Sequence, residues 1–295
     1  MKKFILSTTY TLFIIIFTLY LLLNTFVFSE AYEVVDNSST TATNSNTNKG
    51  NVSTTANTYS DDNIEITIKE YVENDTTIYV ADVVLKDSDY LKTAFANNTY
   101  GKNITAKTST IADSVNAILA INGDYYGVQE TGYVLKNGVI YRNTKNSNQE
   151  DLVIYNDGTF EIINEDDISA EELLNNGAIN VFSFGPSLLI NGNINVSQNS
   201  EVGKSMASNP RTAIGIIDEN HYVMVVSDGR IQESEGLSLY ELATFLKNYG
   251  VKTAYNLDGG GSSTMYFLGS VINNPTTNGR NISERSVSDI VYIGY

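Results

Sequence analysis

The chain has 295 residues, which is room for one large domain or two small ones. Its formal net charge is −16, and nucleic-acid-binding surfaces need an excess of Lys and Arg, so no nucleic acid is expected as a partner. Cysteine is absent, which excludes thiol nucleophiles, thiolate metal sites and disulfides.

The N-terminus combines Lys2 and Lys3 with an apolar segment, residues 4–29, that contains no charged residue. This segment is longer than the ~7–15-residue apolar core of a signal peptide. At about 1.5 Å per residue it can cross a hydrocarbon core of about 30 Å. The lysines favour a cytoplasmic N-terminus, residues 1–3. We expect a single-pass anchor in the cell membrane with an extracytoplasmic domain or, if a signal is cleaved near residues 29–31, a secreted protein.

The residues that follow are expected to form a linker, 30–62, because 36–60 are rich in Ser, Thr and Asn and cannot bury a core. Order is expected to begin near Ile64, where apolar and polar residues alternate as in a half-buried strand. The folded domain is therefore predicted to span 63–295. Because exported eukaryotic domains often carry disulfides, the lack of cysteine favours a bacterial envelope protein.

Many short strands and a few helices follow along this domain. Asn-Gly and Asp-Gly pairs mark hairpin turns, and Ser residues followed three positions later by Glu mark two helix starts. This order predicts an α+β fold with mixed or largely antiparallel sheets and a few packed helices. The predicted helices are 87–96, 108–116, 170–176 and 238–249, and the predicted strands are 64–68, 77–85, 117–121, 134–135, 139–140, 152–155, 159–163, 178–184, 187–190, 212–217, 221–226, 251–255, 264–268 and 287–293.

The most informative segment, 255–264, reads Y-N-L-D-G-G-G-S-S-T. An apolar run leads to Asp258, then to Gly259, Gly260 and Gly261, and then to three hydroxyls, of which Ser262 is the first. Consecutive glycines cost backbone entropy and are expected where the chain adopts positive φ or approaches a ligand closely. Their N–H groups can form a concavity that binds an anion. Alternatively, the segment is a tight turn with a solvated aspartate.

Acid–base chemistry is expected from carboxylates. The single histidine, His221, follows a turn, and without a G-x-S-x-G motif a Ser/His/Asp hydrolase is not indicated. Asp124, Asp228 and Asp258 each follow an apolar run and lie beside glycine at a predicted strand end. A pair of carboxylates suits glycosidic bond cleavage. Alternatively, each is a turn aspartate that bonds its own backbone.

Other charged candidates are Glu241, Arg211 and Arg285. Glu241 forms a capping box with Ser238, which explains it without a functional role, although a helix start can also line a pocket. Arg211 opens a strand and Arg285 precedes the last one. Guanidinium groups match phosphate and carboxylate oxygens bidentately, and the alternative is a surface ion pair.

No metal site is predicted, because the usual zinc sites need several His or Cys ligands. Acidic loops can ligate Ca²⁺, so this ion is left open as a cofactor, but no EF-hand spacing is present.

Several of these segments, taken in order over 64–295, resemble the phosphodiester glycosidase family, that of the N-acetylglucosamine-1-phosphodiester alpha-N-acetylglucosaminidase or "uncovering enzyme". Asp124 and Arg230 stand at positions that this family does not keep fixed. The similar segments are A-I-N-G-D-Y-Y-G (120–127), P-R-T-A-I-G (210–215), S-D-G-R (227–230), G-L-S-L-Y-E-L-A (236–243), N-L-D-G-G-G-S-S-T (256–264) and E-R-S-V-S (284–288).

The resemblance implies hydrolysis of the glycosidic bond of a sugar-1-phosphodiester, with envelope or exopolysaccharide glycans as the expected substrates of an outward-facing protein. The alternatives are a non-catalytic, membrane-anchored protein that binds glycans or anions, and a phosphotransferase that moves glycopolymers. Catalysis is expected from Asp258, Asp228 and Glu241, and substrate binding from Asn122, Asp124, Arg211, Gly259, Gly260, Gly261, Ser262 and Arg285.

Overall fold

The computed structural model describes residues 2–35, 49–200 and 208–295. Its helices are α1 (Lys2–Phe26), α2 (Thr108–Ser114), α3 (Ala170–Asn175) and α4 (Leu239–Tyr249), with 3₁₀ turns at Ser88–Tyr90, Ala96–Asn98, Tyr126–Val128 and Gly260–Ser262. Its strands are β1 (Glu30–Val34), β2 (Ser53–Thr54), β3 (Thr58–Ser60), β4 (Ile64–Glu73), β5 (Thr76–Leu85), β6 (Leu91–Phe95), β7 (Thr99–Lys102), β8 (Leu119–Asn122), β9 (Val134–Lys136), β10 (Val139–Arg142), β11 (Glu150–Tyr155), β12 (Phe160–Asn164), β13 (Ala178–Phe182), β14 (Ser187–Ile190), β15 (Asn193–Ile194), β16 (Arg211–Asp218), β17 (His221–Ser227), β18 (Thr253–Leu257), β19 (Met265–Phe267), β20 (Ser270–Val271) and β21 (Asp289–Ile293).

The strands form one large sheet and several smaller ones. The nine-stranded sheet has the order β15-β14-β18-β16-β17-β5-β4-β3-β2. Two five-stranded sheets have the orders β10-β9-β13-β11-β12 and β20-β19-β8-β21-β6, and β1 pairs with β7 alone. Within the described residues every strand pairing is antiparallel. The predicted α+β class with largely antiparallel sheets is therefore confirmed.

The main core lies between the large sheet and the two five-stranded sheets. Apolar side chains from β4, β5, β16, β17 and β18 meet others from β8, β11 and β21 there. The opposite face of the large sheet packs against α4 in a second cluster. Helices α2 and α3 cover the outer faces of the smaller sheets in two further clusters. The nine-stranded sheet and the two five-stranded sheets thus bury apolar side chains, at roughly 25 cal/mol per Å² of apolar area removed from water.

Helix α4 confirms the clearest helix expectation. Ser238 accepts from the Glu241 amide while the Glu241 side chain accepts from the Ser238 amide, which is the reciprocal capping box. Leu239, Leu242 and Leu246 are fully buried on the face toward the large sheet. The helix ends at Gly250, whose φ of 102° suits glycine.

Two expectations are wrong. Residues 87–96 do not form a helix: a 3₁₀ turn is followed by β6, because Leu91–Phe95 pairs with β21 and buries its apolar residues. Order also begins before Ile64, since β2 and β3 extend the large sheet and Tyr59 is buried. Backbone hydrogen bonds at the edge of the sheet stabilise β2 and β3, although few of their side chains are apolar. Residues 36–48 of the expected linker lie outside the described residues.

The N-terminal helix α1 contains a window, Thr9–Phe26, that is long and apolar enough to cross a membrane by length and composition. Directly after it, β1 pairs with β7 rather than starting a linker. The Asn103 side-chain amide also donates to the carbonyls of Thr25 and Phe28, at 3.1 and 3.0 Å. The end of α1 is thereby connected to the folded domain.

Candidate active site

The site lies at one edge of the large sheet, where β16 begins and β18 ends. Because these strands are antiparallel and Thr212 pairs with Leu257, Arg211 and Asp258 emerge side by side. The carbonyl of Pro210 accepts from the Gly260 amide at 2.8 Å, which holds the glycine-rich segment against the start of β16. Two segments far apart in the sequence are thus joined at this edge, as expected from their motifs.

Asn122, at the end of β8, is the structural link between three segments of the site. Its Nδ2 donates to the carbonyl of Asp258 at 2.6 Å, and its Oδ1 accepts from Thr212 Oγ1 at 2.9 Å and from the Thr264 amide at 3.2 Å. The residue is fully buried. Its side chain therefore holds the backbone around Asp258 in place, whereas the sequence predicted contact with substrate.

Asp258 and Arg285 form the centre of the site. Arg285 Nη2 lies 3.2 and 3.0 Å from the two carboxylate oxygens of Asp258, and Arg285 Nε donates to Ser262 Oγ at 2.8 Å. Ser262 Oγ in turn donates to Asp258 Oδ2 at 2.6 Å. Burial raises the pKa of Asp258, while Arg285 and Ser262 oppose that shift without cancelling it.

A pocket of about 200 Å³ opens beside this pair. Arg211, Arg230 and Arg285 line it. Among the described residues of the pocket wall, Asp258 is the one that carries a carboxylate. Arg211 is 3% exposed, and its Nε donates to the carbonyl of Leu237 at 2.8 Å. The wall is therefore positively charged and suited to an anion. The described residues that line the pocket are Phe184, Asn209, Arg211, Arg230, Asn256, Leu257, Asp258, Gly259, Gly260 and Arg285.

The glycine-rich loop differs in part from the expected anion-binding concavity. The Gly260 amide bonds to Pro210, and the Ser262 and Ser263 amides bond within the loop, so these three donors are used inside the protein. Gly260 has a φ of +61°, and a Cβ at Gly261 would lie 2.3 Å from Thr277 Oγ1. The glycines therefore serve close packing of the loop.

Asp228 and Glu241, both expected to be catalytic, lie outside the pocket wall. Asp228 is 1% exposed, and its carboxylate accepts from Asn273 Nδ2 and from both the amide and the side chain of Asn274. The Glu241 carboxylate accepts from the Ser238 amide and hydroxyl at 2.8 Å. Both carboxylates are thus engaged in structural contacts.

Asp124 is also buried, in an ion cluster with Lys136 and Asp289. Lys136 Nζ lies 3.2 Å from Asp124 Oδ2 and 3.0 Å from Asp289 Oδ2, and all three side chains are at most 1% exposed. Burial raises the pKa of Asp289 to about 7, with Lys136 opposing the shift. Asp124 therefore contacts the protein interior, although the sequence predicted substrate contact.

His221 lies at the opposite end of the large sheet from the pocket. It opens β17 opposite Asp218, the last residue of β16, whereas Arg211 is the first. Its Nε2 contacts Asp82 Oδ1 at 2.8 Å. Over the part of the chain that the structure describes, no group of three or more His, Cys, Asp or Glu residues could hold a metal ion.

Three further residues line the pocket that were not predicted as site residues: Arg230, Asn209 and Phe184. The S-D-G-R segment was the available signal for Arg230, a position that the family does not keep fixed. Asn209 directly precedes the P-R-T-A-I-G segment. Phe184 carried no signal, because a single apolar residue near a strand end is usual in any sheet.

Comparison with known proteins identifies the family. A family model described as "Phosphodiester glycosidase" matches residues 115–294. The chain belongs to the phosphodiester glycosidase family. The matched range includes Asn122 and every residue that lines the pocket.

Two curated relatives are 30% identical to the chain over part of its length. The "SPbeta prophage-derived uncharacterized protein YomE" of Bacillus subtilis (strain 168) is 30% identical over 177 residues, 59% of this chain and 26% of the relative. The N-acetylglucosamine-1-phosphodiester alpha-N-acetylglucosaminidase of Mus musculus is 30% identical over 175 residues, 54% of this chain and 33% of the relative. The aligned parts are thus a third or less of these relatives.

Solved structures share the fold. The catalytic domain of zebrafish N-acetylglucosamine-1-phosphodiester alpha-N-acetylglucosaminidase, auto-inhibited by its pro-peptide, gives a TM-score of 0.62 at 21% identity and covers 91% of this chain and 88% of its own. A hypothetical protein from Synechocystis gives a TM-score of 0.57 at 16% identity, covering 79% of this chain and 62% of its own. The α+β architecture is therefore that of the family.

Proposed function

We propose that this protein hydrolyses the glycosidic bond of a sugar-1-phosphodiester, such as a GlcNAc-1-phosphodiester, and leaves a phosphomonoester. The proposal is carried by one observation: the Asp258 carboxylate lies within 3.2 Å of Arg285 in a pocket that Arg211 also lines. Guanidinium groups hold the phosphate, and a carboxylate acts on the sugar. The family assignment supports the same reaction class.

In this reaction the bond between the anomeric carbon and the phosphate oxygen breaks. The leaving group is a phosphate whose developing negative charge Arg211 and Arg285 offset, so it needs no proton from an acid. Water supplies the hydroxyl that bonds to the anomeric carbon, and its proton passes to a base. The positive charge that develops on the sugar is stabilised by a nearby carboxylate.

Asp258 is the residue proposed to act on the sugar side. Whether it activates water or attacks the anomeric carbon, it must be ionised, and contacts from Arg285 and Ser262 favour that form. The stereochemistry of the released sugar distinguishes the two roles, because direct attack retains configuration and activation of water inverts it. We propose that Asp228 and Glu241 support the surrounding loops through the contacts described above.

The proposed location follows from α1. We propose that α1 spans the cell membrane and places the domain outside the cytoplasm, or that its cleavage releases the domain. The substrates proposed for that location are phosphodiester-linked sugars of envelope or exopolysaccharide glycans. Protease added to intact cells should then degrade the domain, whereas protection of the domain would contradict this location.

The reaction is tested by incubating the full-length protein with a chromogenic GlcNAc-1-phosphodiester. We expect free sugar and phosphomonoester from the wild type, and far less of both from Asp258→Asn. Binding without release of either product would support a glycan-binding protein instead. Appearance of the sugar phosphate on an added acceptor would support a phosphotransferase.

A further inference from the structure

Arg230 is a pocket arginine to which the proposed reaction gives no task. Its Nε and Nη2 donate to Asn209 Oδ1 at 3.2 and 2.7 Å, and its Nη1 donates to the Thr277 carbonyl at 2.6 Å. Its partners within the described ranges are neutral, whereas Arg285 pairs with Asp258. A guanidinium has five N–H groups, so one on each terminal nitrogen is left for a ligand.

The backbone around Arg230 is built to hold the guanidinium at this place. Arg230 itself has a φ of +62°, which is uncommon for a residue with a side chain and is concentrated at functional positions. A Cβ at Gly260 would lie 3.0 Å from Arg230 Nη2, and one at Gly279 would lie 2.0 Å from the Arg230 carbonyl oxygen. Glycine at both positions therefore leaves room for this arginine against the loop.

Arg230 and Arg285 are close enough to influence each other electrostatically. Burial and the nearby Arg285 lower the pKa of Arg230, although an arginine keeps its charge at neutral pH. Arg230 is partly exposed, whereas Arg211 is buried, so Arg230 lies nearer the solvent. An anionic group entering on that side would contact it first.

We propose that Arg230 is a specificity-determining residue that binds a second anionic group, carried by the aglycone. The preferred substrates are then sugar-1-phosphodiesters whose aglycone bears a further phosphate or carboxylate, rather than a neutral alcohol. Both groups match the guanidinium fork. This inference rests on the proposed function for its account of the first anion.

The kinetic test compares GlcNAc-1-phosphodiesters with propyl, 3-phosphopropyl and 3-carboxypropyl aglycones. Comparing the last two shows whether Arg230 prefers a phosphate or a carboxylate on the aglycone. For Arg230→Gln we expect KM to rise about 10-fold on the charged aglycones, the equivalent of one charge-assisted hydrogen bond, with kcat unchanged. On the propyl aglycone the change should stay within about 2-fold. Arg230→Lys should restore part of the loss, because it keeps the charge without the fork.

Arg280→Gln is the matched control, because Arg280 is an exposed arginine outside the pocket wall and the variant changes net charge equally. It should leave KM unchanged on all the substrates. An equal loss in Arg230→Gln on charged and neutral aglycones would overturn the proposal, since Arg230 would then bind the phosphodiester itself. No loss on any of them would overturn it as well.

A binding measurement keeps this inference separate from the proposed hydrolysis. Calorimetry on the full-length protein compares propane-1,3-bisphosphonate with propylphosphonate, and neither probe is hydrolysed. We expect the wild type to prefer the bisphosphonate about 10-fold and Arg230→Gln to lose that preference. If the wild type turns over no substrate, the proposed hydrolysis is refuted. The ratio of the affinities for the two phosphonates still tests the role of Arg230 in that case. An unchanged ratio in Arg230→Gln contradicts the inference even in an active enzyme.

Discussion

Asp258 and Arg285 are held together by a closed set of contacts that includes Ser262. Arg285 Nη2 lies 3.0 Å from Asp258 Oδ2, and the Ser262 hydroxyl donates to that carboxylate at 2.6 Å while accepting from Arg285 Nε at 2.8 Å. One hydroxyl can make both bonds, since it has one donor and two lone pairs. The carboxylate is therefore fixed in orientation before any ligand enters.

Asp258→Asn should greatly reduce turnover while preserving the fold. The amide keeps the size of the carboxyl but cannot stabilise a sugar cation, so we expect kcat to fall on the order of 10³-fold. Release of sugar from a GlcNAc-1-phosphodiester measures the effect. Asp218→Asn is the matched control, since Asp218 is exposed on another part of β16, and it should keep wild-type activity. Full activity in Asp258→Asn would refute the proposed role.

Arg285→Gln should change the pH dependence as well as the rate. Arg285 lowers the pKa of Asp258, so its removal raises that pKa further. Because the ionised carboxylate is the active form, activity is lost as pH falls through this pKa. The acidic limb of kcat/KM should therefore move to higher pH in the variant, alongside a fall of about 10²-fold from lost charge stabilisation. An acidic limb at the wild-type pH would contradict the coupling.

Glu241→Gln separates a structural role from a catalytic one. Glutamine can still accept from the Ser238 amide, so the capping box is largely kept. We expect activity within about 3-fold of wild type and a loss of stability below about 1 kcal/mol. Activity assays and urea unfolding measure the two effects. A loss comparable to that of Asp258→Asn would restore Glu241 as a catalytic residue.

Lys136→Met should be strongly destabilising. It leaves two buried carboxylates, Asp124 and Asp289, without their counter-ion, for which we expect a loss of about 3–5 kcal/mol. Urea unfolding measures it. Lys252→Met removes an exposed ion pair with Asp218 and should change stability by less than about 1 kcal/mol. Equal losses of stability in the two variants would show that charge pairing within the buried cluster does not stabilise the fold.

Asp289→Asn should remove part of the pH dependence of stability. The folded-state pKa of Asp289 is about 7 against an ordinary value of 3.8, so the folded state holds a proton that the unfolded state releases. The stabilisation is fully present below about pH 4 and is lost as pH rises through about 7. Asparagine stays neutral, so the decrease in unfolding free energy from pH 5 to pH 8 should be smaller in the variant. The same decrease in both proteins would contradict this titration.

Local patterns predicted the parts of the fold that depend on neighbouring residues. The capping box at Ser238 and the turn at Asn137-Gly138, with positive φ at both residues, lie where sequence placed them. Residues 87–96 were predicted wrongly because pairing with β21, nearly 200 positions away, decides their conformation. Tertiary contacts of that kind leave no trace in local periodicity.

The candidate site was predicted only in part, because contacts between distant residues also decide which side chains meet there. The motif at 256–264 and Arg285 pointed to residues that the structure brings together. Asp124 looked equivalent to Asp258 in the sequence, since both follow an apolar run and lie beside glycine. Burial against Lys136, which follows on β9, separates them, and a one-dimensional pattern does not encode which lysine will lie opposite a carboxylate.

The three hydrogen bonds that the Asn122 side chain makes to Asp258, Thr212 and Thr264 have a consequence for how the protein acquires function. They join β8 to segments as far as 142 positions further along the chain, so the pocket forms only after contacts of long sequence separation are made. A partly folded intermediate that lacks the last strands has no pocket. Anion binding at this site therefore reports complete folding, and no N-terminal fragment ending before Thr264 can reproduce it.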